Sequence, residues 1–376
     1  MLSKNCLRMQ GYPLYWLLLL LLVLPLSSIT VASDRLEQPA QIAIHPERSL
    51  LLDITRVGSR LVAVGEQGTI IWSDDQGEQW QQADVPVSVL LTAVAFADSN
   101  NGWAVGHDGA ILRSSDRGET WQRVADGNVV NQWQVARYEH LNAAGTDPRT
   151  PEVSADDFAV MLDDALFAQE EGATYPLLDV FFSDAQHGFI LGAYGLLLRT
   201  SDGGDSWQVD SHVVPNIDRF HLNSMAQIAD RLFIAGEAGV LFRSLDQGQH
   251  WEALASPYEG SFFKLQASEQ AGLERLYVMG LRGHLFYSDD FGEQWQQVLL
   301  ETTASLTAAT VADTTLLFAG SGGFVATGDA PDALASQRLS SRASISQAAA
   351  VEPFWVLVGE TGVVRLMQGD DSHGAE

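Results

Sequence analysis

Apolar and polar positions alternate in short runs along most of this chain, and one unit of the pattern shows the rule clearly. Residues 92–96 alternate, Asn100-Asn101-Gly102 breaks the run, 103–105 and 110–114 are apolar again, and 121–124 form a fourth run. A period of two over so few residues predicts β-strands buried on one face. Four of them joined by turns predict a small antiparallel sheet per unit.

Two punctuation marks divide the units. The first is Gly-x-x-Gly, with its leading Gly at 65, 106, 192, 236, 280 and 359 and a looser form at Gly320-Ser321-Gly322-Gly323. The second is Ser/Thr-x-Asp-x-Gly-x-x-Trp at 73–80, 114–121, 200–207, 244–251 and 288–295. In this box the Asp (Asp75, Asp116, Asp202, Asp246, Asp290) accepts amides of the residues that follow, and the Gly takes positive φ. The Trp (Trp80, Trp121, Trp207, Trp251, Trp295) opens the next strand, its ring wedged against neighbours and its N–H seeking a backbone acceptor. Each copy predicts a hairpin corner. Seven units with a period near forty predict an all-β fold, a seven-bladed β-propeller.

The rhythm breaks once, between Gly106 and Gly192, where residues 126–175 add a segment with neither mark. There Phe158, Met161, Leu162, Ala165 and Leu166 recur with helical spacing after Ser154 and before Gly172. That predicts an amphipathic helix over 155–171, capped by Ser154, as a helical insertion between blades two and three. The expected propeller spans 34–368, with an acidic tail at 369–376. The sixth unit has lost the corner Gly and Trp at 327–331, and the seventh has no Trp strand. Because an unjoined ring leaves open strand edges, residues 34–49, and 40–44 in particular, are expected to add the outer strand of the last blade.

Lys4 and Arg8, the apolar run 14–24 and the small residues Val31-Ala32-Ser33 predict a secretory signal peptide over 1–33 and a periplasmic protein. The run is shorter than the roughly 20 apolar residues that span a bilayer, so no membrane span is expected after cleavage. Cys6, the sole cysteine, precedes it, so the remaining chain must be held by its core rather than by disulfides. The formal charge of −27 becomes −29 without Lys4 and Arg8, and Lys264 is then the one lysine. So acidic a chain excludes nucleic acid and anionic lipid as electrostatic partners.

Alternating strand directions put the Gly-x-x-Gly turns, the links between blades and the insertion at one end of the ring, and the Asp-box corners at the other. Glu66, Asp108, Glu237 and Glu360 share the first end; two of them could serve a glycoside hydrolase, which needs carboxylates roughly 5–10 Å apart, or they are simply the polar residues of exposed turns. His107-Asp108 has no further His or Cys at ligand spacing, so neither a metal nor a cofactor is expected. Arg113, Arg199, Arg243 and Arg365 recur just before the corner or its equivalent, where they either pair with box acids or offer a patch to a carboxylate-bearing partner.

The corner is that of BNR, or Asp-box, repeats. Asn101-Gly102-Trp103-Ala104-Val105-Gly106 and Leu198-Arg199-Thr200-Ser201-Asp202-Gly203-Gly204-Asp205-Ser206-Trp207 resemble the photosystem II assembly and stability factor family, propellers found also in non-photosynthetic bacteria. The resemblance covers about 51–365 apart from the insertion and the sixth unit. It implies a non-enzymatic factor that helps a membrane protein complex assemble through protein contacts; for proteobacterial relatives it implies an accessory of a resistance-nodulation-division-type transporter. It also implies partner contacts at Arg113, Arg199 and Arg243, to which the insertion would add Trp133, Arg137, Tyr138, Phe158, Met161 and Leu162, unless that stripe packs on the propeller's own rim. Sialidases share the boxes, which makes a carbohydrate-active hydrolase the alternative. Their Phe/Tyr-Arg-Ile-Pro motif is missing, since none of Arg35, Arg48, Arg56 and Arg60 is followed by Ile-Pro. Xyloglucan-cleaving relatives use two propellers, and this chain has length for one.

Overall fold

The computed structural model describes residues 34–270 and 272–369, so the expected signal peptide and nearly all of the tail lie outside it. Seven antiparallel sheets follow in chain order, six of four strands and the last of three. Blade one is Leu51–Val57, Arg60–Gly65, Ile70–Ser73 and Gln81–Gln82; blade two is Leu91–Phe96, Gly102–Gly106, Ile111–Ser114 and Gln122–Ala125; blade three is Leu177–Phe182, Gly188–Gly192, Leu197–Thr200 and Gln208–Val209. Blades four to seven begin at Leu222, Phe262, Leu306 and Ile345. The first strand of each packs against the first strand of the next, and that of blade seven against that of blade one. The fold is the expected seven-bladed propeller.

Every first strand carries a bulge near its start, where pairing jumps a residue, as from Leu51 to Asp53 and from Leu177 to Asp179. A bulge re-aims the next side chain. Asp53, Asp179 and Ser224 thereby accept the amides of Val94, Met225 and Leu265 in the following blade, at 2.8, 2.8 and 3.2 Å. The core lies between blades: Leu51, Ile54, Leu61 and Ile71 of blade one, for example, pack with Ala349, Val351, Val356 and Val358 of blade seven.

The Asp-box corners form as expected. In all five the Gly amide donates to the Ser or Thr hydroxyl at 2.8–3.0 Å. The Asp accepts the amide four residues on at 2.9–3.0 Å. Hydrogen bonds from Ser206 and Thr200 hold the Asp202 carboxyl down at about 2. The indole bond is only partly realised. Trp80 and Trp121 donate to the box Gly carbonyl at 3.1 Å, whereas the buried indole nitrogens of Trp207, Trp251 and Trp295 have no hydrogen-bond partner among the described residues.

The expected closing strand at 34–49 is not where it was placed. The Ala40 amide donates to the Val85 carbonyl at 2.9 Å, and the Gln82 amide group grips Gln41 O and Ala43 N at 2.9 and 2.8 Å. Residues 40–43 thus lie along blade one, whose fourth strand is only two residues long, while Pro46–Arg48 lies against the last strand of blade seven without joining its sheet. Blade seven keeps three strands among the described residues. Apolar packing between blades one and seven, rather than a shared sheet, closes the ring. The sixth blade does have its outer strand, Ala335–Arg338, without a Trp.

Candidate partner-binding cleft

The insertion holds two helices, α1 (Gly127–Ala144) and α2 (Ala155–Glu171), of which the second has the predicted bounds. Ser154 and Asp157 form a reciprocal capping box, and the acidic first turn suits the helix dipole. The missed helix α1 is capped by Asp126 and ended by Gly145 at φ 71°. Its inward face carries Asn131, whose amide donates to Ala168 O and Gly172 O at 2.9 and 3.0 Å and so satisfies the C-terminal carbonyls of α2.

The apolar stripe of α2 turns inward. Phe158 is fully buried and Tyr138 nearly so, in one core with Leu196, Leu198 and Val209 of blade three; Trp133, Met161 and Leu162 are partly buried against it. Phe158 is covered by the propeller rim, the nearest apolar surface that can bury it. Arg137 is also engaged, 3.1 Å from Asp147.

Arg137 belongs to a buried ionic cluster that fastens the insertion to blade three. Asp210, fully buried, accepts from Arg149 through two bonds of 2.9 Å and from Arg199 at 2.7 Å. Asp147 accepts from Arg149 and faces His212 Nε2 at 2.9 Å. Burial opposes ionisation of both carboxyls, but the arginine hydrogen bonds and charges outweigh it and hold them below the usual range. Burial also pushes the His212 pKa down against its bond to Asp147. Its Nδ1 is buried and without a hydrogen-bond partner among the described residues.

Two of the four recurrent arginines, Arg113 and Arg243, tie one blade to the next. Arg113 reaches Asp205 in the corner of blade three at 2.6 Å; Arg243 meets Glu252 of its own blade and Glu293 and Phe291 O in the corner of blade five. Arg60, which periodicity did not single out, does the same with Glu119 and Arg117 O of blade two. Arg199 is spent on Asp210, and Arg365 lies over the Phe354 ring at 4.0 Å. The Arg113 side chain remains a third exposed.

The acids of the Gly-x-x-Gly end are similarly occupied. Glu66, Glu237 and Glu360 accept the amides of Leu50, His221 and Ser344, each sixteen residues upstream, at 2.9, 3.3 and 3.1 Å. Asp108 pairs with Arg35 at 3.0 Å. The central channel, about 940 Å³, is lined by the first strands of all seven blades and holds Asp53, Asp179 and Lys264. Burial pushes Asp179 up to about 6, against the pull of Lys264. Asp53 and Asp179 already hold backbone amides, as described above.

A cleft of about 560 Å³ opens at the Gly-x-x-Gly end between α2 and blade three. One wall is the outward face of α2, with Val160 56% and Phe167 58% exposed. The other is Tyr194, 56% exposed, and residues 211–219, where Ile217 is 93% exposed. Tyr194 sits left-handed in its turn at φ 56°, its amide donating to His221 Nδ1 at 3.1 Å and its ring 4.8 Å from that of Tyr175. Arg219 pairs with Asp164 across the mouth. His212 and Tyr138 line the interior. Of the predicted stripe, Met161 and Ala165 line the cleft, while Val160 and Phe167 fall outside that periodicity; the bulky Tyr at the turn of blade three was a further visible trace of this site.

The sequence model of the family described as photosynthesis system II assembly factor YCF48 matches residues 34–115, 72–143 and 168–321. The photosystem II assembly lipoprotein Ycf48 of Prochlorococcus marinus is 42% identical over 48 residues, 13% of this chain and 14% of that protein, so the match spans about a seventh of the curated relative. A solved structure of YCF48 bound to D1 peptide aligns with TM-score 0.59 at 16% identity, covering 90% of this chain and 100% of that one. The GH74 xyloglucanase of Xanthomonas campestris aligns with TM-score 0.58 at 15% identity over 89% of this chain and 54% of its own. At such identities these structures share the fold alone.

Proposed function

Since the chain belongs to the family of photosynthesis system II assembly factor YCF48, we propose that it is a non-enzymatic scaffold that holds a membrane protein while its complex is assembled or maintained. The observation that carries this reading is the apolar cleft at the end of the ring where the insertion sits, a surface shaped to be filled by another molecule. The N-terminal apolar run supports export, and the working compartment is the periplasm. The relatives reported above concern photosystem II and none concerns a transporter, so the reading stops at a membrane protein complex; an RND-type transporter is the narrower version, to be named by co-purification.

Hydrolysis is the competing reading. Its support is likeness of fold to a xyloglucanase, and Glu66, Glu237 and Glu360 have a structural duty that explains them without catalysis. The test is affinity purification of the native protein from detergent-solubilised membranes, with turnover of a glycoside panel measured in parallel. An enriched integral membrane protein is expected. Turnover of any glycoside, or recovery of the chain with no integral membrane protein, would overturn the reading.

A further inference from the structure

Val160, Phe167, Tyr194 and Ile217 converge on the cleft although each is more than half exposed. Its acidic lining residues are Glu152, Asp157 and Asp164, and Arg219, the one basic residue on the open rim, is already paired with Asp164. Resting on the scaffold reading, we propose that the cleft takes an extended segment of the partner polypeptide that presents an aromatic or branched apolar side chain beside a lysine or arginine. The apolar side chain fills the space between Phe167 and Ile217, and the cation meets the acidic rim.

Charge decides against a second copy of this chain as occupant. A protein of net charge −27 would bring acids to an acidic rim, and its arginines are largely committed to its own blades. A lone hydrocarbon fits less well, since it would leave the rim carboxylates unanswered.

The probe is a phage-displayed library of random twelve-residue peptides panned against the immobilised chain, with selected peptides re-measured by fluorescence anisotropy. Enrichment of aromatic or branched apolar residues next to Lys or Arg is expected. Selected peptides should bind the Phe167→Asp/Ile217→Asp variant at least tenfold more weakly, and should lose affinity when their basic residue becomes Glu. Both substituted side chains are mostly solvent-facing, so the variant's urea midpoint should match the parent's and exclude misfolding. Three results overturn the proposal: no enriched peptide, acidic enrichment, or equal binding by the variant. Sedimentation showing a dimer that the variant loses would assign the cleft to a second copy instead. The membrane purification separates this idea from the one beneath it: if parent and variant enrich the same membrane protein equally, the cleft assignment fails and the scaffold stands, whereas if neither enriches any, the scaffold itself fails.

Discussion

Asp210→Asn tests whether the ionic cluster holds the insertion on the ring. The side chain keeps its shape but loses the charge that faces Arg149 and Arg199, whose side chains are only 16% and 14% exposed. Removing one partner of a buried ion cluster leaves the others desolvated and uncompensated, which costs 3–5 kcal/mol in typical cases. Asp147 still accepts from Arg149, so we place the loss near the lower end, at about 3 kcal/mol. Urea unfolding followed by tryptophan fluorescence reads it, and trypsin supplies a local readout, because a released 145–153 loop becomes cleavable after Arg149. The sign with pH is set by the carboxyls. Their folded pKa values lie below 3.8, so the stabilisation is present above that value and is lost as pH falls through the lower, folded one. Parent and variant should therefore differ at pH 7 and converge in strong acid. A difference under about 1 kcal/mol at pH 7, with no new cleavage at Arg149, would refute the argument that these charges fasten the insertion.

Phe158→Ala empties a fully buried site shared by α2 and blade three and should cost about 3–5 kcal/mol in urea unfolding; a loss under about 1 kcal/mol would mean that the insertion packs only loosely on the ring. Gly204→Ala sets a Cβ into the Trp103 ring at a residue with φ +85°, and should cost about 3 kcal/mol from overpacking and left-handed strain together. An unchanged unfolding midpoint would show that the corner has room the structure does not display.

What the amino-acid pattern made legible is whatever a repeat imposes. The Gly-x-x-Gly turns and Asp-box corners recur because the same left-handed backbone and the same Ser/Thr and Asp acceptors are needed in each blade. Helix α2 could be bounded to the residue because its cap, stripe and stop are all local. Helix α1 escaped because Asn131 occupies an inward position that an apolar residue would otherwise mark, and its reason for being there lies at Ala168 and Gly172, some forty residues away. The ionic cluster escaped for the same cause: Asp147 and Arg149 meet Asp210 and His212 only after blade three has formed. Placing the closing strand on blade seven assumed that an edge must be paired, whereas the side chain of Gln82 captured the segment for blade one. The arginines were found at the right positions, but position does not say where a long side chain ends.

Those arginines bear on where function can reside. Each blade solves the same problem with the same parts, so a part that appears in several blades has a structural explanation before it has a functional one. Arg60, Arg113 and Arg243 reach the next corner, and Glu66, Glu237 and Glu360 hold the start of their own inner strand. Subtracting them leaves the Asp-box end with little beyond its own hydrogen bonds, and leaves the other end with what no second blade repeats: two helices, and a tyrosine, Tyr194, at the turn beside an open cleft. On the proposed reading, such a surface would select its partner by apolar shape first and use its acids to choose among apolar segments. The place where the repeat is interrupted is therefore the place where a binding defect should be sought, and substitutions in the intact blades should act through stability instead.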